Sequence, residues 1–401
     1  MMNIPYARQW IEEEDIERVA KVLRGDWLTQ GPAVDAFEQA VASYVNAKYC
    51  VAFNSGTAAL HAAMYATGVQ PGDEVLTTPI TFVATSNSAL YLGGKPLFVD
   101  IDPKTEALAL IGSKEGLFNL NHTMLNPGDM VLLPDPYYPV YLAGAQLADA
   151  RYHFMPLTKE NDFLPDFDAI PENVAREAKI MWLNYPNNPT GAVADLNFFK
   201  KAVAFAKKFD ILIAHDAPYC DLCFDSYEAP SIMEVEGAKD VAVEFNSLSK
   251  TYNMAGWRIG MAVGNKEAIR LLANYKSQID SSIFMPILDA GQAALTADQA
   301  WLVERNKIYE KRRDVVYNGL KDCGFEVDSP KAALYLWAKL PPKFHDPVKF
   351  CADLLNDTGV SMTPGVVYGP SGADYIRISI VIPTDRIEEA IGRMQAWIAA
   401  Q

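Results

Sequence analysis

A chain of 401 residues, half of them hydrophobic and 21% charged, has ordinary globular composition and length for roughly two or three domains with buried cores. A net charge of −15 argues against a phosphate-backbone partner, which needs a basic face, so nucleic acid is excluded as an expected ligand. With no apolar run of about 18 residues and no charged-then-apolar leader, neither a membrane span nor a signal peptide is expected, and the expected location is cytoplasmic.

Ile16, Val19, Ala20 and Leu23 recur at helical spacing, with Gly25 as a stop. A second amphipathic helix is predicted over 34–45. Short apolar runs follow: VLTT at 75–78, PLFVD at 96–100, VLLP at 131–134, IMWLN at 180–184, ILIAHD at 211–216 and VAVEFN at 241–246. Among them FFKKAVAFAKKF, at 198–209, is apolar on one face and lysine-rich on the other. Strands alternating with helices predict an α/β fold, a mostly parallel central sheet with helices on both faces. Ligands bind such sheets at the carboxyl ends of the strands. After about residue 285, ALYLWAKL (333–340) and YIRISIVI (375–382) alternate like strands of a smaller C-terminal α+β domain.

The stretch PGDEVLTTPITF at 71–82 returns as PGDMVLLPDPYY at 127–138, an offset of 56 with five of twelve residues identical. At that offset Gly56-Thr57 falls on Gly112-Ser113, Phe82 on Tyr138 and Ala89 on Ala145. Either two generic helix–turn–strand units resemble each other, or one unit occurs twice. The five cysteines are odd in number and scattered, and Cys220 and Cys223 form a lone CxxC. Two thiols in a reducing compartment are expected there, not a metal site.

Three strand ends are polar: NYPNNPTG at 184–191, AHDAPY at 214–219 and SLSKTYNMAGWRIG at 247–260. Lys250 follows an apolar strand, sits between hydroxyls and precedes a Gly-Trp-Arg-Ile-Gly run whose arginine has no packing reason. Pyridoxal phosphate chemistry needs such a set. A lysine forms a Schiff base and shuttles protons, and a carboxylate keeps a pyridine nitrogen protonated. An amide and a phenol hold the ring oxygen, while hydroxyls, an arginine and helix-N-terminal amides hold the phosphate.

From EALALIGSKEGL at 106–117 through SLSKTYNMAGWRIG to YIRIS at 375–379, the chain resembles the class I/II, fold-type I aminotransferases, most of all the LL-diaminopimelate aminotransferases. The resemblance implies pyridoxal 5'-phosphate as cofactor, Lys250 as the Schiff-base lysine and Asp216 as the pyridinium partner. It sets Asn188 and Tyr219 at the ring oxygen, Tyr138 on the ring, and Ser113, Lys114, Ser247, Ser249 and Arg258 around the phosphate. Arg377 would pair with the substrate α-carboxylate, a task suited to its planar fork, with Asn188 beside it. It further implies a cis bond at Asn188-Pro189, and a homodimer exchanging an amino group between LL-2,6-diaminopimelate and 2-oxoglutarate. Gln278, in QIDSS at 278–282, stands where that family usually has an asparagine-containing segment.

The front of the chain is different. IPYARQWIEEEDIERVAKVLRGDWLTQGPAVDAFEQAV, NSGTAALHAAM and PGDEVLTTPITFVATSNSALYLGGKPLFVDIDP resemble the DegT-type sugar-nucleotide aminotransferases, also of fold type I. The expected organisation is a DegT-type segment over 1–104, a large cofactor-binding domain over 105–285 and a small domain over 286–401. The repeat then reads as one unit inherited from two sources. The lysine of the DegT type follows a histidine, and no His-Lys dipeptide occurs here. Lys250 therefore belongs with the second copy, leaving Gly56, Thr57 and Phe82 without a ligand. Two alternatives stand beside the amino-acid reading: sugar-nucleotide transamination, against which Arg377 argues, and a non-catalytic fusion product.

Overall fold

One helix–strand–helix–strand unit occurs twice in this chain. The computed structural model describes residues 13–25, 31–77, 84–98, 106–280 and 283–401, which fall into two units, Met1–Val99 and Asp100–Gln401. The front unit contains α1 (Glu13–Leu23), α2 (Pro32–Tyr44), α3 (Gly56–Ala66), β1 (Glu74–Thr77), α4 (Ala84–Leu90) and β2 (Lys95–Phe98). The second unit begins with β3 (Ala107–Leu110), α5 (Ser113–Met124), β4 (Met130–Asp135), α6 (Val140–Leu147) and β5 (Arg151–Pro156). Strands β1 and β2 pair in parallel with Glu74 opposite Lys95, and β4 and β5 do so with Met130 opposite Arg151, each 56 positions later.

The turn before each first strand repeats as well. Gly72 and Gly128 take φ of +97° and +84°, which a side chain would resist. The Asp73 carboxylate accepts from Gln70 N at 2.8 Å, and Asp129 from Asn126 N at 2.8 Å. This local capture of a backbone amide is what aspartate does in turns. The copies differ in burial. Helix α5 buries Gly116, Leu117, Asn119, Leu120 and Asn121, whereas α3 buries no residue. In the front unit Tyr44 is 92% exposed and Tyr65 76%.

The second unit continues with α7 (Glu172–Glu177), β6 (Ala178–Asn184), α8 (Leu196–Phe209), β7 (Leu212–Asp216), β8 (Ala242–Ser247), α9 (Leu248–Thr251), β9 (Gly260–Gly264) and α10 (Lys266–Ile279). Its seven-stranded sheet has the order β3-β9-β8-β7-β6-β4-β5. All pairs are parallel except the two made by β9. Ile180 and Trp182 of β6 join the core under α5, α6 and α10, while Met181 and Leu183 join the core under α8. Burial on both faces explains why these strands read as unbroken apolar runs. Asp195 caps α8 by accepting from Phe198 N at 2.7 Å, and the helix buries Phe198, Phe199, Ala202, Val203 and Ala206.

The remainder comprises α11 (Met285–Thr296), α12 (Ala300–Asp322), β10 (Glu326–Val327), β11 (Tyr335–Lys339), α13 (Pro347–Thr358), β12 (Thr363–Pro364), β13 (Tyr375–Ser379) and α14 (Thr384–Ala400). Its four strands form an antiparallel sheet in the order β10-β11-β13-β12. The strand expected over 333–340 is shorter, Tyr335–Lys339, because Ala333 takes φ +72° and Ala332 bridges to Cys223. Among the described residues no helix is long and apolar enough to cross a membrane.

Candidate active site

Strands β6, β7 and β8 are parallel neighbours, so their carboxyl ends bring Asn184, Asp216 and Ser247 to one edge of the sheet. Asp216 is 4% exposed, and its Oδ2 accepts from Tyr141 OH at 2.7 Å. Burial pushes its carboxyl up to about 6, against the lowering effects of the Tyr141 hydrogen bond and the His215 charge. Its Oδ1 is buried with no hydrogen-bond partner among the described residues. Tyr141 is itself fixed, fully buried and stacked on Trp182 at 4.7 Å between ring centroids. His215 points to the other face of β7, where Nδ1 lies 3.1 Å from Glu244 and Nε2 3.1 Å from the Tyr185 carbonyl.

Asn184 braces the next element. Its Nδ2 donates to the Asp216 carbonyl at 2.7 Å, and its Oδ1 accepts from Asn188 N at 2.8 Å. The Asn188-Pro189 bond is cis, as are Asp135-Pro136 and Tyr185-Pro186. Arg377, on β13, donates from Nη1 to Asn188 Oδ1 at 3.0 Å. Its guanidinium carbon lies 4.1 Å from the Tyr335 ring centroid and 4.9 Å from that of Tyr368. Arg377 Nε is buried with no partner among the described residues. Tyr368 is held from behind by Tyr137 N, which donates to its carbonyl at 2.7 Å. Tyr219 is 5% exposed, with its hydroxyl 3.2 Å from that of Tyr335. Burial, reinforced by Tyr335, raises the Tyr219 phenol well above its ordinary value.

A second cluster gathers positive charge and donors. Ser247 caps α9 by accepting from Ser249 N at 3.2 Å, and α9 carries Lys250, which is partly buried. Arg258, at φ +53°, donates from Nη1 to Ser249 Oγ at 3.4 Å and to the Ala255 carbonyl at 3.0 Å. Gly112 opens α5 at φ +72°, and a Cβ there would lie 2.3 Å from Arg258 Nη2. A Cβ on Gly260 would lie 2.6 Å from Ser113 N. Arg258, Ser249 and the first turn of α5 therefore converge on one small space, with the partial positive charge of the helix end facing it. Lys114 is exposed, with Nζ 5.3 Å from the Tyr138 ring, and Tyr138 meets Tyr141 edge-on at 5.8 Å.

Gln278 is exposed and donates to its neighbour Ser277. Gly56 and Thr57 open α3 in the front unit, under a Ser55 cap. Phe82 lies outside the described residues. Cys220 and Cys223 are free thiols. A cleft of about 1340 Å³ lined by Leu164, Ala194, Phe205, Pro330 and Trp337, among others, holds none of the predicted site residues. Sequence reasoning missed Asn184, Tyr141, Tyr335 and Tyr368. Asn184 opens the polar run NYPNNPTG and Tyr141 lies three positions after Tyr138, whereas Tyr335 and Tyr368 left no such signal.

The side chains fit pyridoxal phosphate. The unpaired Asp216 oxygen is an acceptor suited to a pyridinium N–H, and Gly112 leaves a donor-rich space beside Arg258 that any side chain would fill.

Comparison with known proteins agrees. The family model for aminotransferase class I and II matches residues 86–394, and that for the DegT/DnrJ/EryC1/StrS aminotransferase family matches residues 9–111. An LL-diaminopimelate aminotransferase from Dehalococcoides mccartyi is 49% identical over 296 residues, 74% of this chain and 76% of its own. Substrate-bound BacF from Bacillus subtilis has a TM-score of 0.72 at 37% identity, covering 85% of this chain and 86% of that one. A probable N-succinyldiaminopimelate aminotransferase from Thermus thermophilus has a TM-score of 0.70 at 40% identity, covering 74% of this chain and 79% of that one.

Proposed function

The chain belongs to the class I and II aminotransferases, pyridoxal-phosphate enzymes, and from that premise we propose LL-2,6-diaminopimelate as its amino donor and 2-oxoglutarate as its acceptor. The observation that carries this reading is Arg377: a planar cation flanked by two tyrosine rings, anchored to Asn188 and keeping an unpaired Nε, which is a seat for a carboxylate. A keto-sugar nucleotide offers no α-carboxylate for that seat. The similarity of the chain to named LL-diaminopimelate aminotransferases supports the donor.

When bound, pyridoxal phosphate supplies an electron sink for the charge left on the substrate Cα after its proton departs. In this reading Lys250 holds the cofactor at rest and moves the proton at Cα. Asp216 accepts the pyridinium N–H, and a cation beside it keeps the carboxylate ionised despite its burial. Because Asn188 Oδ1 is taken by Arg377, its Nδ2 remains as the donor for the ring oxygen, with the Tyr219 hydroxyl as the second donor. Ser113, Ser247, Ser249, Arg258 and the exposed Lys114 serve the phosphate, and Tyr138 covers the ring. We assign 1–104 as the DegT-type segment, 105–285 as the large domain and 286–401 as the small one. A homodimer in the cytoplasm completes the proposal, in keeping with five free thiols.

The test is glutamate formation from LL-2,6-diaminopimelate and 2-oxoglutarate by the cofactor-loaded protein, with and without Lys250→Ala. The variant is expected to lose at least about a thousandfold in rate, since nucleophile and proton carrier go together. Full turnover by Lys250→Ala would sink the assignment of that lysine. Turnover of a keto-sugar nucleotide in place of diaminopimelate would sink the donor.

A further inference from the structure

We propose that Tyr335 is a positioning residue that ties the substrate-carboxylate seat to the donor for the cofactor ring oxygen. The inference rests on the functional reading above, in which Tyr335 serves only as one of the rings flanking Arg377. Tyr335 touches both sites with different parts of one side chain. Its ring lies 4.1 Å from the Arg377 guanidinium, and its hydroxyl is 3.2 Å from that of Tyr219. The two tyrosine rings also meet edge-on at 5.6 Å.

The backbone holds Tyr335 in this position. Phe224 N donates to the Lys331 carbonyl at 2.8 Å, and Ala333 N donates to the Leu222 carbonyl at 2.9 Å. The segment leading into β11 is thus bonded to the segment that follows Tyr219. Ala333 is fully buried and takes φ +72°, a conformation that residues with a side chain rarely adopt. Strain of this kind persists where surrounding structure over-determines it, commonly beside a functional group. On the far side, β11 pairs with β13 so that Trp337 lies opposite Arg377 and Tyr335 opposite Ser379. The pairing sets Tyr335 one strand away from Arg377 and beneath its guanidinium.

The hydroxyl pair has a direction. Tyr219 owns one phenolic proton, and in its assigned role that proton goes to the ring oxygen. The 3.2 Å bond is then donated by Tyr335 and accepted by the Tyr219 oxygen. Such a donor strengthens the donation that Tyr219 makes in turn. The ring meanwhile keeps the Arg377 fork flat against it, through the attraction of a cation to an aromatic face.

Two variants separate the two contacts. Tyr335→Phe keeps the ring and removes the donor; Tyr335→Leu removes both. In cofactor-loaded protein the pH midpoint of the visible absorbance band reports the ring-oxygen donor. Heptanedioate, which has two carboxylates and no amine, reports the Arg377 seat through its dissociation constant. Tyr335→Phe is expected to raise the pH midpoint by roughly 0.3–1 unit and leave heptanedioate affinity within about twofold. Tyr335→Leu is expected to weaken heptanedioate about 3- to 30-fold, with Phe restoring it. An unchanged midpoint in Tyr335→Phe together with wild-type heptanedioate affinity in Tyr335→Leu would overturn the proposal. If Tyr335→Leu does not fold, the midpoint of Tyr335→Phe decides alone. Wild-type protein that takes up no cofactor, or binds no heptanedioate, would overturn the underlying functional reading, a failure visible before any variant is made.

Discussion

Asp216 makes the cofactor-free protein less stable than it needs to be, and replacing it should show this as a pH-dependent gain. A folded-state value of about 6, against an ordinary 3.8, works against the ionised form by about 3 kcal/mol. The folded value lies above the unfolded one, so the native state binds this proton more tightly. The penalty is therefore absent below about pH 4, grows as pH rises, and is complete above about pH 7. At pH 5 it is about half its full size. Asp216→Asn removes the charge and keeps an acceptor for Tyr141 OH. It also leaves a new buried N–H without a partner, a cost of about 1–3 kcal/mol that does not vary with pH. The assay is thermal unfolding of cofactor-free wild type and Asp216→Asn from pH 4.5 to 8. The melting point of the variant relative to wild type should rise by roughly 2 °C from pH 5 to pH 7.5, while its transaminase activity falls at least about a hundredfold. A difference between the two proteins that stays constant with pH would refute the argument that burial of an ionised carboxylate costs stability here.

Other perturbations give separate readouts. Arg377→Lys loses the planar fork between Tyr335 and Tyr368 and should raise KM for the amino donor about 10- to 100-fold, with the visible band of the bound cofactor unchanged. Gly112→Ala puts a Cβ 2.3 Å from Arg258 Nη2 at φ +72°, and should weaken cofactor affinity at least about tenfold in an equilibrium titration. Glu244→Ala strips the shared acceptor from His215, Ser231 Oγ, Ile232 N and Asn246, and calorimetry should record about 3–5 kcal/mol of lost stability. Burial raises the Glu244 carboxyl, but the hydrogen bond and charge of His215, with Asn246 and Ser231, outweigh it and hold it below the ordinary value. That stabilisation is present above the unfolded value and is lost as pH falls through the folded one.

Much of the second unit was legible because its strands are buried on both faces, which leaves unbroken apolar runs ending in polar signatures. Of the residues proposed for chemistry, Asn188, Tyr219, Ser249 and Lys250 sit at those ends, within a few positions of Asn184, Asp216 and Ser247. Contacts between distant elements left no such trace. Tyr141 reaches Asp216 across 75 positions, and Tyr335 reaches Tyr219 across 116, so no local period could couple them. The strand over Tyr335–Lys339 is shorter than its apolar run because backbone bonds to the segment after Tyr219 hold Ala333 at positive φ. In the front unit the elements and their repeat could be read directly, since PGD turns and helical periods are local. That α2 and α3 bury no residue could not, because amphipathicity names a face without naming what covers it. The equal strand register of the two copies rested on the offset of 56, the one long-range relation the sequence states openly.

Lys250, Asp216, the Arg258 cradle and Arg377 are proposed to form one working transaminase site. The most direct test is an absorbance spectrum of the purified protein with pyridoxal phosphate, recorded before and after LL-2,6-diaminopimelate is added without any keto acid. The expected result is a visible band on cofactor addition that bleaches when diaminopimelate is supplied. A band indifferent to diaminopimelate would contradict the proposed donor, and no band at all would contradict the site.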